Sequence, residues 1–159
     1  MSSETTQEIL KRLGQLPARV RQVCTALPEH KLRLRPAATV FAPIEDAWHL
    51  YDLEREGWYV RIERILREER PTLESIDGDR LAIERRYVEL DLEAALEGFA
   101  QARAASLRLL AQLPESALQR TAVFEDRLIT LRDLIVMMHE HDAGHLSSLH
   151  GVHVTSRAA

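Results

Sequence analysis

The chain has 159 residues, 45% apolar and 29% charged, with a formal net charge of −4. That balance excludes a disordered chain and offers no overall basic footprint for nucleic acid, and the length suits one domain over residues 1–159 with a single core. Lone Cys24 excludes an intrachain disulfide, the first residues lack a signal-peptide pattern, and no apolar run reaches the ~20 residues of a membrane span, so a cytoplasmic protein without membrane contact is expected.

The first predicted helix runs from Thr5 to Ala26, with Ile9, Leu10, Leu13, Leu16, Val20 and Val23 on one stripe. Pro17 lies inside it and should kink it or split it near Gln15. Cys24, among Val20, Val23 and Leu27, reads as a half-buried inert thiol. Pro28-Glu29-His30 opens an irregular connection, with His30 exposed. Pro43 suits the first turn of a second helix reaching about Glu69 and stopping before Pro71. Asp77-Gly78-Asp79 is a turn signal, and residues 81–90 fit either a short helix or an extended link. Asp91 caps a third helix, Leu92 to Leu113, ended by Pro114. Residues 115–127 read as a loop with a short extended piece at 121–124. Thr130, with Asp133 three residues on, forms a capping box for a fourth helix that Gly151 should terminate. The tail, 155–159, should fray. Four amphipathic helices without convincing strands predict an all-α four-helix bundle. Its first two connections, roughly 17 and 20 residues, are long enough for crossovers.

The fourth helix carries His139-Glu140-His141-Asp142-Ala143-Gly144-His145. His141 and His145, four apart, stack on one face, together with Leu134, Met138 and Leu149. Two imidazoles in a low-dielectric interior each need a partner, and one shared divalent cation satisfies both. His139 points about 200° away and is a flank residue. His150 and His153 near the helix end read as surface residues. In the second helix His49 lies one step off the apolar stripe, on a half-polar face with Glu45, Asp52, Leu53 and Glu56. It is either a boundary histidine or a third ligand, with Glu45 or Asp52 orienting its ring. Three imidazoles with an open position suit a catalytic metal, and zinc, nickel and iron all accept such ligands. Asp46-x-x-His49 and Asp142-x-x-His145 resemble half of a di-iron bundle site. The other two helices, however, show no inward mid-helix acid to complete one.

These residues carry a family resemblance. Pro43 to Glu54, reading acid, His49-Leu50, then Asp52 and Glu54, and His141-Asp142-Ala143-Gly144-His145-Leu146 resemble two motifs of the DinB-like metal-binding four-helix bundles, over roughly residues 10–149. That family includes the bacillithiol and mycothiol transferase-type proteins. The resemblance implies a crossover bundle, one divalent metal held by His49, His141 and His145, and frequent homodimers. The family often has Gln or Arg shortly after its second helix-four histidine. Ser147 and Ser148 stand here, so no substrate contact carries over. Such a site activates water or a small thiol, with Glu45, Asp52 and Asp142 as candidates for ring orientation or proton transfer. The expected function is a metal-dependent thiol S-transferase or hydrolase acting on a small molecule, with a low-molecular-weight thiol as a candidate partner. The alternative is a non-catalytic metal-binding dimer or stress-associated binding module. Trp48, Tyr51 and Trp58 either wall a pocket or, for at least two of them, belong to the core.

Overall fold

The computed structural model of the protein describes residues 4–158, and side chains through Thr155. Four long helical rods form a bundle: α1 (Thr6–Thr25), a rod made of α3 (Pro43–Leu53), a π-helical turn (Glu54–Trp58) and α4 (Tyr59–Arg67), then α6 (Leu92–Leu110), and α8 (Leu131–Ala158). Short α2 (Glu29–Leu32), α5 (Gly78–Glu84) and α7 (Glu115–Leu118) sit in the connections. α1 packs between α6 and α8, and α3 packs mainly on α6 and also on α8. Thus α1 and α3 face each other diagonally, as do α6 and α8, and the chain crosses the bundle twice. The long first connection is one of these crossings; the long second one joins neighbouring rods, and the other crossing is made by residues 111–130. Among the described residues no helix is long and apolar enough to cross a membrane.

Local chemistry sets the helix starts. Thr5 and Glu8 exchange backbone and side-chain hydrogen bonds at α1, and Thr130 and Asp133 do the same at α8. Asp91 accepts from the Ala94 N–H at 2.8 Å to start α6. Pro17 does not split its helix, and Gly151 does not stop the last one: α1 continues across Pro17, and α8 continues through Gly151 to Ala158. No glycine takes the left-handed backbone that a Gly151 stop would need. The expected tail at 155–159 begins inside this helix, and Ala159 lies outside the described residues. Pro17 has no N–H for the Leu13 carbonyl four residues back. That carbonyl instead accepts a hydrogen bond from Arg103 Nη1 on α6, at 2.9 Å.

Residues 121–130 form a small hairpin, β1 (Thr121–Phe124) and β2 (Arg127–Thr130), where only a short extended piece was expected. Its turn residues, Glu125 and Asp126, both have positive φ, the backbone of a two-residue type I′ connection. The connector after α4 lies alongside β1, with Leu73 N–H donating to Val123 O and Val123 N–H to Pro71 O, both at 2.8 Å. Asp77 caps α5 through Arg80 N–H, and a 3-10 turn, Tyr87–Glu89, follows. The ambiguous 81–90 stretch is therefore helical.

Candidate metal centre

His49 comes from α3, and His141 and His145 from α8. The ring centroids lie 5.1, 4.5 and 4.7 Å apart, and one nitrogen from each ring falls within 4.8 Å of the other two. His49 Nε2 and His141 Nε2 are 3.1 Å apart. Two imidazoles bound tetrahedrally to one ion at ~2.0–2.1 Å would hold their nitrogens about 3.3 Å apart. His49 is nearly buried, 7% exposed, whereas His141 and His145 keep 26% and 22% of their side chains exposed. The expected stripe on α8 put both of these histidines fully inward. In the structure Asp142 and Leu146 take the inward positions, and the histidines face the seam between α3 and α8.

Each α8 ring is held by a buried carboxylate. His141 Nδ1 lies 2.8 Å from Asp142 Oδ1, and His145 Nδ1 lies 2.6 Å from Asp46 Oδ1. An Nδ1–H donated to a carboxylate leaves the Nε2 lone pair free for a cation. Asp142 also binds Arg103, which is ion-paired to Glu54 in the π turn. All three of these side chains are essentially buried. Burial pushes the Asp142 carboxyl up, but the Arg103 charge and the His141 bond outweigh it and hold it below its ordinary value. Asp46 and Glu54 are held above theirs, chiefly by burial.

Burial pushes the His49 imidazole down to about 3, with the neighbouring His145 and His141 rings adding to the effect. It is therefore neutral, the form that ligates. Its buried Nδ1 has no hydrogen-bond partner among the described residues. The ring is held by packing: Phe41 lies 5.3 Å away, centroid to centroid, and the backbone of Gly78 presses against its edge. The donor set fits a divalent cation on charge as well. Of the buried carboxylates Asp46, Asp142 and Glu54, Arg103 balances one, leaving up to two negative charges beside the three rings.

Two of the carboxylates expected to orient the ligands do other work. Glu45 is chelated by Arg35 and reaches back to the Ala42 N–H at the start of α3. Asp52 is taken by Arg55, Arg85 and the Tyr87 hydroxyl. Neither touches a triad ring, because arginines, and for Asp52 also the buried Tyr87, reach them first. Asp142 does meet a ring, that of its neighbour His141. Asp46, which the sequence pairs with His49 on its own helix, crosses instead to His145. Cys24 is fully buried, and its thiol is pushed up to about 12, first by burial and then by Asp46, so it is inert.

The triad opens on a cavity of about 490 Å³, lined by His49, His141, Trp58, Arg61 and Phe124 among others. A second opening of about 350 Å³, past Phe41, Asp46 and Asp79, reaches His141 and His145 from the other side. The π turn brings the first cavity to the triad. At ~100° per residue, an unbroken α-helix would carry Trp58 about 180° round from His49. One residue absorbed in a π turn reduces this to about 80°, the same side. Trp58 thus meets the His141 ring edge-on at 5.6 Å. Trp48 and Tyr51 pack against each other on another face of the rod, Trp48 also against Tyr87. Of the three aromatic residues read as core or wall, Trp58 alone lines this cavity.

A family model described as the DinB superfamily matches residues 12–149. The solved structure of YfiT from Bacillus subtilis is similar at a TM-score of 0.87 and 19% identity, covering 96% of this chain and 87% of that one. YfiT is described as "a probable metal-dependent hydrolase with an unusual four-helix bundle topology". No curated protein matches.

Proposed function

The chain belongs to the DinB superfamily, and on that premise we propose that it is a metal-dependent enzyme that activates water or a small thiol against an electrophilic centre of a small molecule. His49, His141 and His145 would hold one divalent ion. The observation that carries this reading is the convergence of three imidazoles, within 4.8 Å, at the wall of a cavity large enough for a small substrate. A closed structural site would instead have four protein ligands and no adjoining space.

A divalent cation bound there supplies Lewis acidity and brings the pKa of a bound water or thiol towards neutrality. The chain's own residues do the rest. Asp46 and Asp142 hold the Nδ1–H tautomers of His145 and His141 and so aim their Nε2 lone pairs. Arg103 fixes Asp142 and is itself tied to Glu54 and to the Leu13 carbonyl. Trp58 and Phe41 flank the rings with apolar surface and reduce the water that reaches them. The description of YfiT as a hydrolase supports water as the nucleophile, and the family resemblance supports a thiol.

Metal analysis of the purified protein and of His49→Ala and His141→Ala is the first test. The reading predicts about one ion per chain and its loss in both variants; full metal content in both would refute the triad. Thiol consumption with a panel of electrophiles, and ester and amide hydrolysis, then test the chemistry. A silent panel at full metal loading would favour a non-catalytic metal-binding protein.

A further inference from the structure

We propose that Arg61 anchors an oxyanion of the substrate, a carboxylate, phosphate or sulfonate, one aromatic ring away from the three-histidine cluster. This rests on the site reading above and deepens it: the substrate would carry an anionic group at one end and its electrophilic centre at the other.

A charge removed from water is costly unless it is paired, and Arg103, the other fully buried arginine, has two carboxylates. Arg61 is 5% exposed, yet among the described residues no carboxylate lies within ion-pair distance of it. Nε and Nη2 both donate to the Glu74 carbonyl, at 3.2 and 3.0 Å. Nη1 has no acceptor among the described residues. Trp58 and Phe124 flank the guanidinium, its Cζ lying 4.7 and 4.6 Å from their ring centroids. These partners favour a planar cation but do not neutralise it.

The flanking rings and the Glu74 carbonyl also fix orientation. With the Nε side occupied, the Nη1/Nη2 end is left for a ligand. That end matches an oxyanion's two oxygens with parallel charge-assisted hydrogen bonds. Arg61 lines the same cavity as His49 and His141, and Trp58 stands between the guanidinium and the His141 ring. Burial pulls the arginine down to about 10, with Glu125 acting in the opposite sense, so the side chain stays cationic at neutral pH. Glu125, Glu140 and Arg127 also line the cavity. They are not buried charges, and solvent screens them.

Two dyes of one aromatic body test this: 8-anilinonaphthalene-1-sulfonate, which is anionic, and N-phenyl-1-naphthylamine, which is neutral. Each is titrated into metal-free protein, where a metal cannot capture the sulfonate, and into zinc-reconstituted protein. The unaltered metal-free chain should prefer the anionic dye. Arg61→Gln, which keeps a donor for Glu74, should weaken that dye about tenfold or more, the worth of one charge-assisted hydrogen bond, and leave the neutral dye within about twofold. Arg127→Gln should change neither. No anionic preference in the unaltered chain, or an equal preference in Arg61→Gln, overturns the proposal. Should that variant fail to fold, competition on the unaltered chain decides. Inorganic phosphate or acetate should displace the anionic dye but not the neutral one, and whichever anion competes better names the headgroup. Displacement by neither overturns the proposal. Zinc uptake by the same preparations reports on the triad separately.

Discussion

Replacing Gly78 with alanine should weaken the affinity of the three histidines for a divalent ion, although Gly78 neither belongs to the triad nor is hydrogen-bonded to it. A Cβ built on Gly78 would sit 2.7 Å from His49 Nδ1 and closer still to Cε1. Unbonded carbons and nitrogens rest at about 3.5–4.0 Å, so something must retreat by roughly 1 Å. Gly78 has an ordinary helical backbone, so the substitution adds volume and no torsional strain. His49 is the movable party only at the expense of the triad, since ligand distances must hold to about ±0.2 Å. Disturbing a hydrogen bond that merely orients a ligand costs about 10- to 100-fold in affinity. Pushing the ligand itself should cost at least about 100-fold, some 2.7 kcal/mol.

The assay is zinc titration against a competing chelator, with thermal melting alongside. Gly144→Ala is the matched control. It lies between His141 and His145 on α8, its added Cβ meets nothing within 4 Å, and it should keep zinc affinity while stabilising the helix by about 0.5–1 kcal/mol. Should Gly78→Ala bind zinc normally while losing about 1–3 kcal/mol of stability, α5 has moved instead of His49, and the reasoning is refuted.

Three further outcomes follow from the network. Asp46→Asn should lower metal affinity about 10- to 100-fold with little change in melting, read by the same competition titration. Arg103→Met leaves Glu54 and Asp142 buried without their cation and should destabilise the fold by about 3–5 kcal/mol in urea unfolding. The third concerns pH. Folded His49 titrates near 3 and its unfolded counterpart near 6.5, so between these values the unfolded chain binds more protons. Metal-free protein should therefore lose stability as pH falls from about 6.5 towards 3, and urea midpoints of His49→Leu should show a shallower slope over that window.

The helical stripes and caps made the bundle legible, and the four-residue spacing of His141 and His145 made half the site legible. His49 was harder, because its helix position is marginal by periodicity alone. Arg103 went unnoticed because an arginine reads as solvated. Yet Leu96, Phe99, Arg103, Ser106 and Leu110 repeat at three- and four-residue steps, and following that spacing rather than apolarity would have placed it in the core. Asp46 was visible only in the wrong pairing, since which helix a carboxylate crosses to is set by tertiary packing. Nothing local announces the π turn or the space Gly78 leaves for His49. Pro17 was legible as a disruption. That its orphaned carbonyl would serve Arg103 depended on an α6 side chain far away in the sequence.

The double crossover has a consequence for how the protein comes into being. His49 precedes His141 by 92 residues. At about 5–20 residues per second, synthesis leaves the first histidine waiting roughly 5–18 s for its companions. Asp46 waits about as long for His145, Arg103 waits 39 residues for Asp142, and the chain made before α8 holds a polar seam that only α8 can cover. The last helix to be made is thus the one that completes both the interior and the ligand set. A nascent or truncated chain short of α8 has neither, so an ion held by all three histidines would mark only finished molecules.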